Sequence, residues 1–221
     1  MNFDHAFIIT YGRSGSTLLQ GILNTIPGAC IHGENGNILF FISRIGEGLR
    51  MSQRFAPVAD SPTHPWFGAQ NIPHESFLDD LVAKFKLDIM PKAEAHTLIG
   101  FKEIRFHIPY PQLEQYISFI RRNFSRSAIV FNTRDLDAVM ESNRRAKHLV
   151  VEDRVRDADA NFRRYAAQNP DFCHLVHYDD YTRNPELLRG LFDFLGAEFD
   201  ADSVAQTMAQ THSVRTSVNA G

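Results

Sequence analysis

Residues 6–25 read AFIITYGRSGSTLLQGILNT, and their order constrains the chain more than any other feature. An apolar run suited to a buried strand enters a turn of small residues, and a helical pattern begins at Ser16. A helix that starts directly after a strand presents unpaired backbone N–H groups and roughly half a positive charge. Gly12 and Gly15 let the backbone approach a ligand closely, Ser14, Ser16 and Thr17 supply hydroxyls, and Arg13 adds a planar cationic fork. The turn therefore reads as a cradle for phosphate or sulfate. A tight turn with a serine cap would explain the small residues but not the arginine among them. The stretch also departs from the Walker pattern G-x-x-x-x-G-K-[ST], because no Gly-Lys pair closes it.

Further apolar runs at Thr97–Phe101, Ser127–Asn132 and Cys173–His177, with a short one at Ala29–His32, join Ala6–Thr10 as candidate parallel strands. Helical patterns cover Ser16–Thr25, Ile38–Leu49, Ser76–Met90, Gln112–Asn123, Leu136–Ala146, Asp153–Gln168, Pro185–Leu195 and Asp202–Gln210. Asp153 and Asp202 are expected N-caps and Gly196 a C-cap. Alternating strands and helices imply an α/β fold, a central parallel sheet flanked by helices on both faces. A single domain over 1–221 is expected, interrupted by an irregular Pro-rich insertion at about 52–75. There Pro57, Pro62, Pro65 and Pro73 oppose regular structure, while Trp66 and Phe67 suit a lid over an acceptor, a packed loop or an oligomer contact.

Composition narrows the partners. At 43% apolar content the chain can bury a sizeable core, and a formal charge of −3 opposes bulk binding to nucleic acid or a membrane surface. No apolar run approaches the ~20 residues of a membrane span. With no signal-peptide pattern before the first strand, a cytoplasmic location is expected. Cys30 and Cys173 suit buried thiols rather than a disulfide framework. His174 and His177 read as structural, and no cluster of carboxylates, histidines and cysteines proposes a metal.

Ligands of parallel sheets bind at the carboxyl ends of strands. Beyond SAIVFN comes TRDLDAVMESNRRA, with Arg134 at the strand end and Ser142 about two turns into a helix. Strand–GRSGST–helix followed by strand–RD-x6-S–helix resembles the sulfotransferase family, whose donor is 3′-phosphoadenosine-5′-phosphosulfate (PAPS) and whose nucleotide product is 3′,5′-adenosine bisphosphate (PAP). The segment HYDDYTRNPELLRGLFDFLG at 177–196 is similar to the one that follows the family's last core strand. The resemblance implies a P-loop-NTPase-like fold, and a sulfuryl group, which carries less charge than a phosphoryl group, calls for no metal. The resemblance also implies a 5′-phosphosulfate loop at residues 12–17 and a 3′-phosphate pair at Arg134 and Ser142.

It further implies catalytic roles. Arg13 stands where many cytosolic members carry lysine and can stabilise charge on the leaving nucleotide, although an arginine does not readily donate a proton. PGACIHGENGNILFF resembles the segment that carries the catalytic base in heparan and tyrosyl-protein members, which makes Glu34 the first candidate and His32 the second. The alternative role for Glu34 is to cap the following helix near Gly36 and Asn37. In GFKEIRF, Lys102 resembles a lysine that approaches the leaving group, and alternation lets only Lys102 or Glu103 face the cleft. Arg215 is a further candidate for the 3′-phosphate. The acceptor is expected to be a hydroxyl of a carbohydrate or small metabolite. The rival readings are a P-loop kinase of a small molecule, which would depend on Mg·ATP, and a nucleotide-binding protein without turnover.

Overall fold

The computed structural model describes residues 1–210, with the side chains of His74 and Glu75 left out. Five strands form one sheet in which every pairing is parallel: β1 (His5–Thr10), β2 (Ala29–His32), β3 (Leu98–Glu103), β4 (Ser127–Thr133) and β5 (Cys173–His177). Their order is β2-β3-β1-β4-β5, so the first strand lies at the centre. The helices are α1 (Ser16–Leu23), α2 (Ile38–Phe55), α3 (His74–Asp88), α4 (Tyr110–Asn123), α5 (Leu136–Arg145), α6 (Glu152–Gln168), α7 (Tyr178–Arg183), α8 (Arg189–Leu195) and α9 (Ala201–Ala209).

Strand alternation divides the core into two layers. Phe7, Ile9, Phe101, Ile129 and Phe131 face α2–α6, whereas Ala6, Ile8, Leu98, Ala128 and Val130 face α1 and α7–α9. Burial on both faces explains the continuous apolar character of the strands. Chain crossovers leave the central strands toward opposite sides, which opens a crevice at the carboxyl end of β1.

Several expectations are corrected. Helix α2 runs on to Phe55, six residues past the expected Leu49, and stops where Pro57 enters a short 3-10 turn at Ala56–Val58. The start of the expected insertion is therefore helical, and its irregular part packs beside α2, with Trp66 stacked on Phe55 at 5.0 Å. Asp200, not Asp202, caps α9 by accepting from the amides of Asp202 and Ser203, and Asp153 lies inside the first turn of α6. Gly196 does end α8, at φ 70°. Both cysteines are free, but only Cys173 is buried. Among the described residues no helix is long and apolar enough to cross a membrane.

Candidate functional site

The carboxyl ends of the strands surround a cleft of about 510 Å³. Its floor is the turn between β1 and α1, where Gly12, Arg13, Gly15, Ser16 and Thr17 all line the space. No side chain caps α1, and the first amide of that helix to find a backbone acceptor is that of Leu18, which donates to Gly15 O at 3.0 Å. The preceding N–H groups are left facing the cleft with the positive end of the helix dipole. This is the opposite of a serine-capped turn.

The turn is held from below. Thr10 donates its hydroxyl to Ser14 Oγ at 2.8 Å, and Asn132 Nδ2 donates to Ser14 O at 2.8 Å. The hydroxyl of Ser14 is thus spent on the foundation, and among the candidate loop residues it alone does not line the cleft. Gly15 adopts φ 78°, and a Cβ built there would lie 2.1 Å from the ring of Tyr178. Only glycine satisfies both the left-handed backbone and the ring packed upon it. Arg13 also has a positive φ, 66°, and sends Nε across to Ser142 Oγ at 2.8 Å.

That contact brings the two sequence motifs together. Arg134 donates from Nη1 to Arg13 O at 3.0 Å, and its guanidinium lies 4.6 Å from the centroid of Tyr178. Its Nε is buried without a hydrogen-bond partner among the described residues, the nearest carboxylate oxygen being Asp179 Oδ1 at 3.9 Å. The backbone of Arg134 is fixed from the other layer: its amide donates to Tyr11 Oη at 3.0 Å, and that hydroxyl donates to Asp159 Oδ1 at 2.8 Å. Burial, reinforced by Asp159, drives the Tyr11 phenol well above its ordinary pKa, so it stays a donor.

Opposite the turn, Lys102 and Glu34 meet at 2.6 Å, both lining the cleft. The lysine side chain is 5% exposed and the carboxylate 37%, so the pair spans the boundary between core and solvent. The neighbouring Glu103 points the other way and accepts the amides of Asn35 at 2.6 Å and Asn37 at 2.9 Å. The start of α2 is thus secured by Glu103, which leaves Glu34 free of the capping role. His32 does not line the cleft; its Nε2 lies 3.4 Å from Cys30 Sγ, and burial lowers its pKa. Arg215 lies outside the described residues.

Tyr11, Tyr178, Asp179 and His148 were not anticipated from sequence. HYDDY at the carboxyl end of β5 carried the available signal, since that end of any parallel strand borders the crevice. The arrangement can hold two anionic groups, one at the bare start of α1 and one between Arg134, Arg13 and Ser142. It sets a carboxylate–ammonium pair beside the first.

A model of the sulfotransferase family matches residues 6–201. Among solved structures, the sulfotransferase domain of the Synechococcus PCC 7002 olefin synthase superposes with a TM-score of 0.61 at 21% identity, covering 93% of this chain and 77% of that one. The sulfotransferase domain from the curacin biosynthetic pathway gives a TM-score of 0.50 at 19% identity, with the same coverage of 93% and 77%. At these identities the superpositions speak to the fold. No curated protein sequence matches the chain.

Proposed function

Since the chain belongs to the sulfotransferase family, we propose that it transfers the sulfuryl group of PAPS to a hydroxyl of a carbohydrate or small metabolite. The observation that supports this most is the convergence on one cleft of an uncapped helix start, the Lys102–Glu34 pair and the buried Nε of Arg134, which has no hydrogen-bond partner among the described residues. When bound, the donor supplies a sulfuryl group on a good leaving nucleotide, open to in-line displacement.

Each role then falls to a named group. Amides of residues 12–17, with the hydroxyls of Ser16 and Thr17, hold the 5′-phosphosulfate oxygens. Arg134 and Ser142 hold the 3′-phosphate, and Arg13 links that subsite to the turn while stabilising charge that develops on the leaving oxygens. Glu34 removes the acceptor's hydroxyl proton, and Lys102 orients the carboxylate at 2.6 Å and offsets negative charge beside it. His32 is turned toward Cys30, which favours Glu34 as the base.

Calorimetric titration with 3′,5′-adenosine bisphosphate tests the reading, with 5′-AMP and Mg·ATP as controls. The bisphosphate should bind tightest, and Arg134→Ala should weaken it by ~1.5–3 kcal/mol, roughly 10- to 150-fold. Preference for Mg·ATP, or equal affinity in Arg134→Ala, would reject it.

A further inference from the structure

A second cavity of about 620 Å³ opens at the same end of the sheet, bounded by the segment after β3 and by the faces of α4 and α6. That segment serves both spaces: Ile104 lines the cleft, while His107 and Ile108 line the cavity. Helix α6 is tied to the cleft as well, because its Asp159 holds Tyr11. Into the cavity α6 presents Arg154, Asp157 and Asn161, spaced i, i+3 and i+7 on one face.

Arg154 and Asp157 stand exposed at the rim, and His107 and Asn161 are half-buried below them. Among the described residues, neither Arg154 nor Asp157 has an ion-pair partner, and the His107 ring has no hydrogen bond although it is only partly exposed. Asn161 makes one long contact, Nδ2 to Ile108 O at 3.5 Å. By contrast Arg156, two residues from Arg154, is engaged by both Glu152 and Asp137. One fixed cation beside an imidazole suits a carboxylate or phosphate. A carboxylate and a carboxamide further along the same face suit hydroxyls, since the first accepts and the second both accepts and donates. Tyr110 also lines the cavity, its ring held by the Arg164 guanidinium 4.0 Å from the centroid.

We propose that this cavity binds the non-reacting part of the acceptor and selects an acidic sugar, its anionic group between Arg154 and His107 and its ring hydroxyls at Asp157 and Asn161. The assignment rests on the sulfuryl-transfer reading for its purpose, but the binding it describes is independent of donor. The charged group that acts on His107 is Arg154; Asp157 lines the same cavity from α6, and α4 contributes the neutral Tyr110 and Gln112. Burial and Arg154 hold the imidazole below its ordinary pKa, so an anion placed beside it raises its titration midpoint.

The test is proton NMR of the histidine ring signals during titration with glucuronate, glucose and acetate, the His107→Asn variant identifying the resonance. Glucuronate should shift the His107 signal and raise its midpoint, with glucose and acetate at least ten-fold weaker. Arg154→Gln should weaken glucuronate ten-fold or more, and Arg154→Lys should restore part of the loss. An unmoved His107 signal, an equal response to acetate, or an unchanged affinity in Arg154→Gln would each overturn the proposal. None of the three variants removes a group lining the cleft, so binding of 3′,5′-adenosine bisphosphate should persist in all of them. Failure of the bisphosphate with retention of glucuronate would sink the donor reading and leave this one standing.

Discussion

Gly15→Ala isolates the steric logic of the turn. Two costs add at this position. Holding alanine at φ 78° costs roughly 1–2 kcal/mol, because Cβ crowds the backbone in the left-handed region. The new methyl would also sit 2.1 and 2.2 Å from Tyr178 Cδ2 and Cε2, far inside contact, so the ring must leave its seat. Overpacking of this kind costs about 1–3 kcal/mol. The sum is about 2–5 kcal/mol, and at roughly 2–4 °C per kcal/mol for a chain of this size, the thermal midpoint should fall by on the order of 10 °C. Displacing the ring also removes the face on which Arg134 rests, so bisphosphate affinity should drop even where the protein remains folded. The assay is a double-mutant cycle with Tyr178→Ala, read by thermal unfolding and by calorimetric titration. With the ring already gone, the added methyl should cost only the backbone part, so the double variant should be more stable than the sum of the singles by about 1–3 kcal/mol. Strict additivity, or a Gly15→Ala protein as stable as the parent, would refute the reasoning.

Three further outcomes are expected. Tyr11→Phe strips a donor from the buried Asp159 and an acceptor from the amide of Arg134, which should cost about 1–3 kcal/mol in urea unfolding with an unchanged denaturant slope. Glu34→Gln should cut turnover ~10²–10⁴-fold while the bisphosphate dissociation constant stays within about three-fold, and normal turnover would remove Glu34 as the base. Burial raises the Cys173 thiol from near 9 to about 12, so below pH 9 it is protonated in both states and contributes no pH dependence. Between those values the unfolded thiol ionises and the folded one does not, so stability falls as pH rises, by up to about 1.4 kcal/mol per unit. Cys173→Ala should flatten that part of an alkaline unfolding series, and an unaltered slope would contradict the burial argument.

The strands were legible because burial on both faces writes them as apolar runs, and all five begin within one residue of where the sequence places them. Helix α7 was not, since Tyr178–Arg183 is a six-residue turn with no room for a period. It forms because Asp179 and Asp180 complement the start of a helix fed directly by β5. Within the site, residue type disclosed chemistry but not direction. Ser14 and Ser16 look alike in GRSGST, yet one is turned down to Thr10 and the other faces the cleft. Lys102 and Glu103 were separable because strand parity decides between neighbours. Tyr11 could not be read as a support for Arg134, because its second partner, Asp159, lies on α6, with most of the chain between them.

The central position of β1 has a consequence for how the chain is made. Its neighbours in the sheet are β3 and β4, residues 98–103 and 127–133, so β1, the first of these five strands to be synthesised, finds no sheet partner until about 90 further residues have followed. At ~5–20 residues per second that interval is roughly 5–20 s, during which AFIIT is an unpaired apolar segment open to chaperones and to association with other nascent chains. Arg134 emerges later still, and α7 after that, so the turn that leads the sequence is among the last parts of the molecule to acquire its working shape.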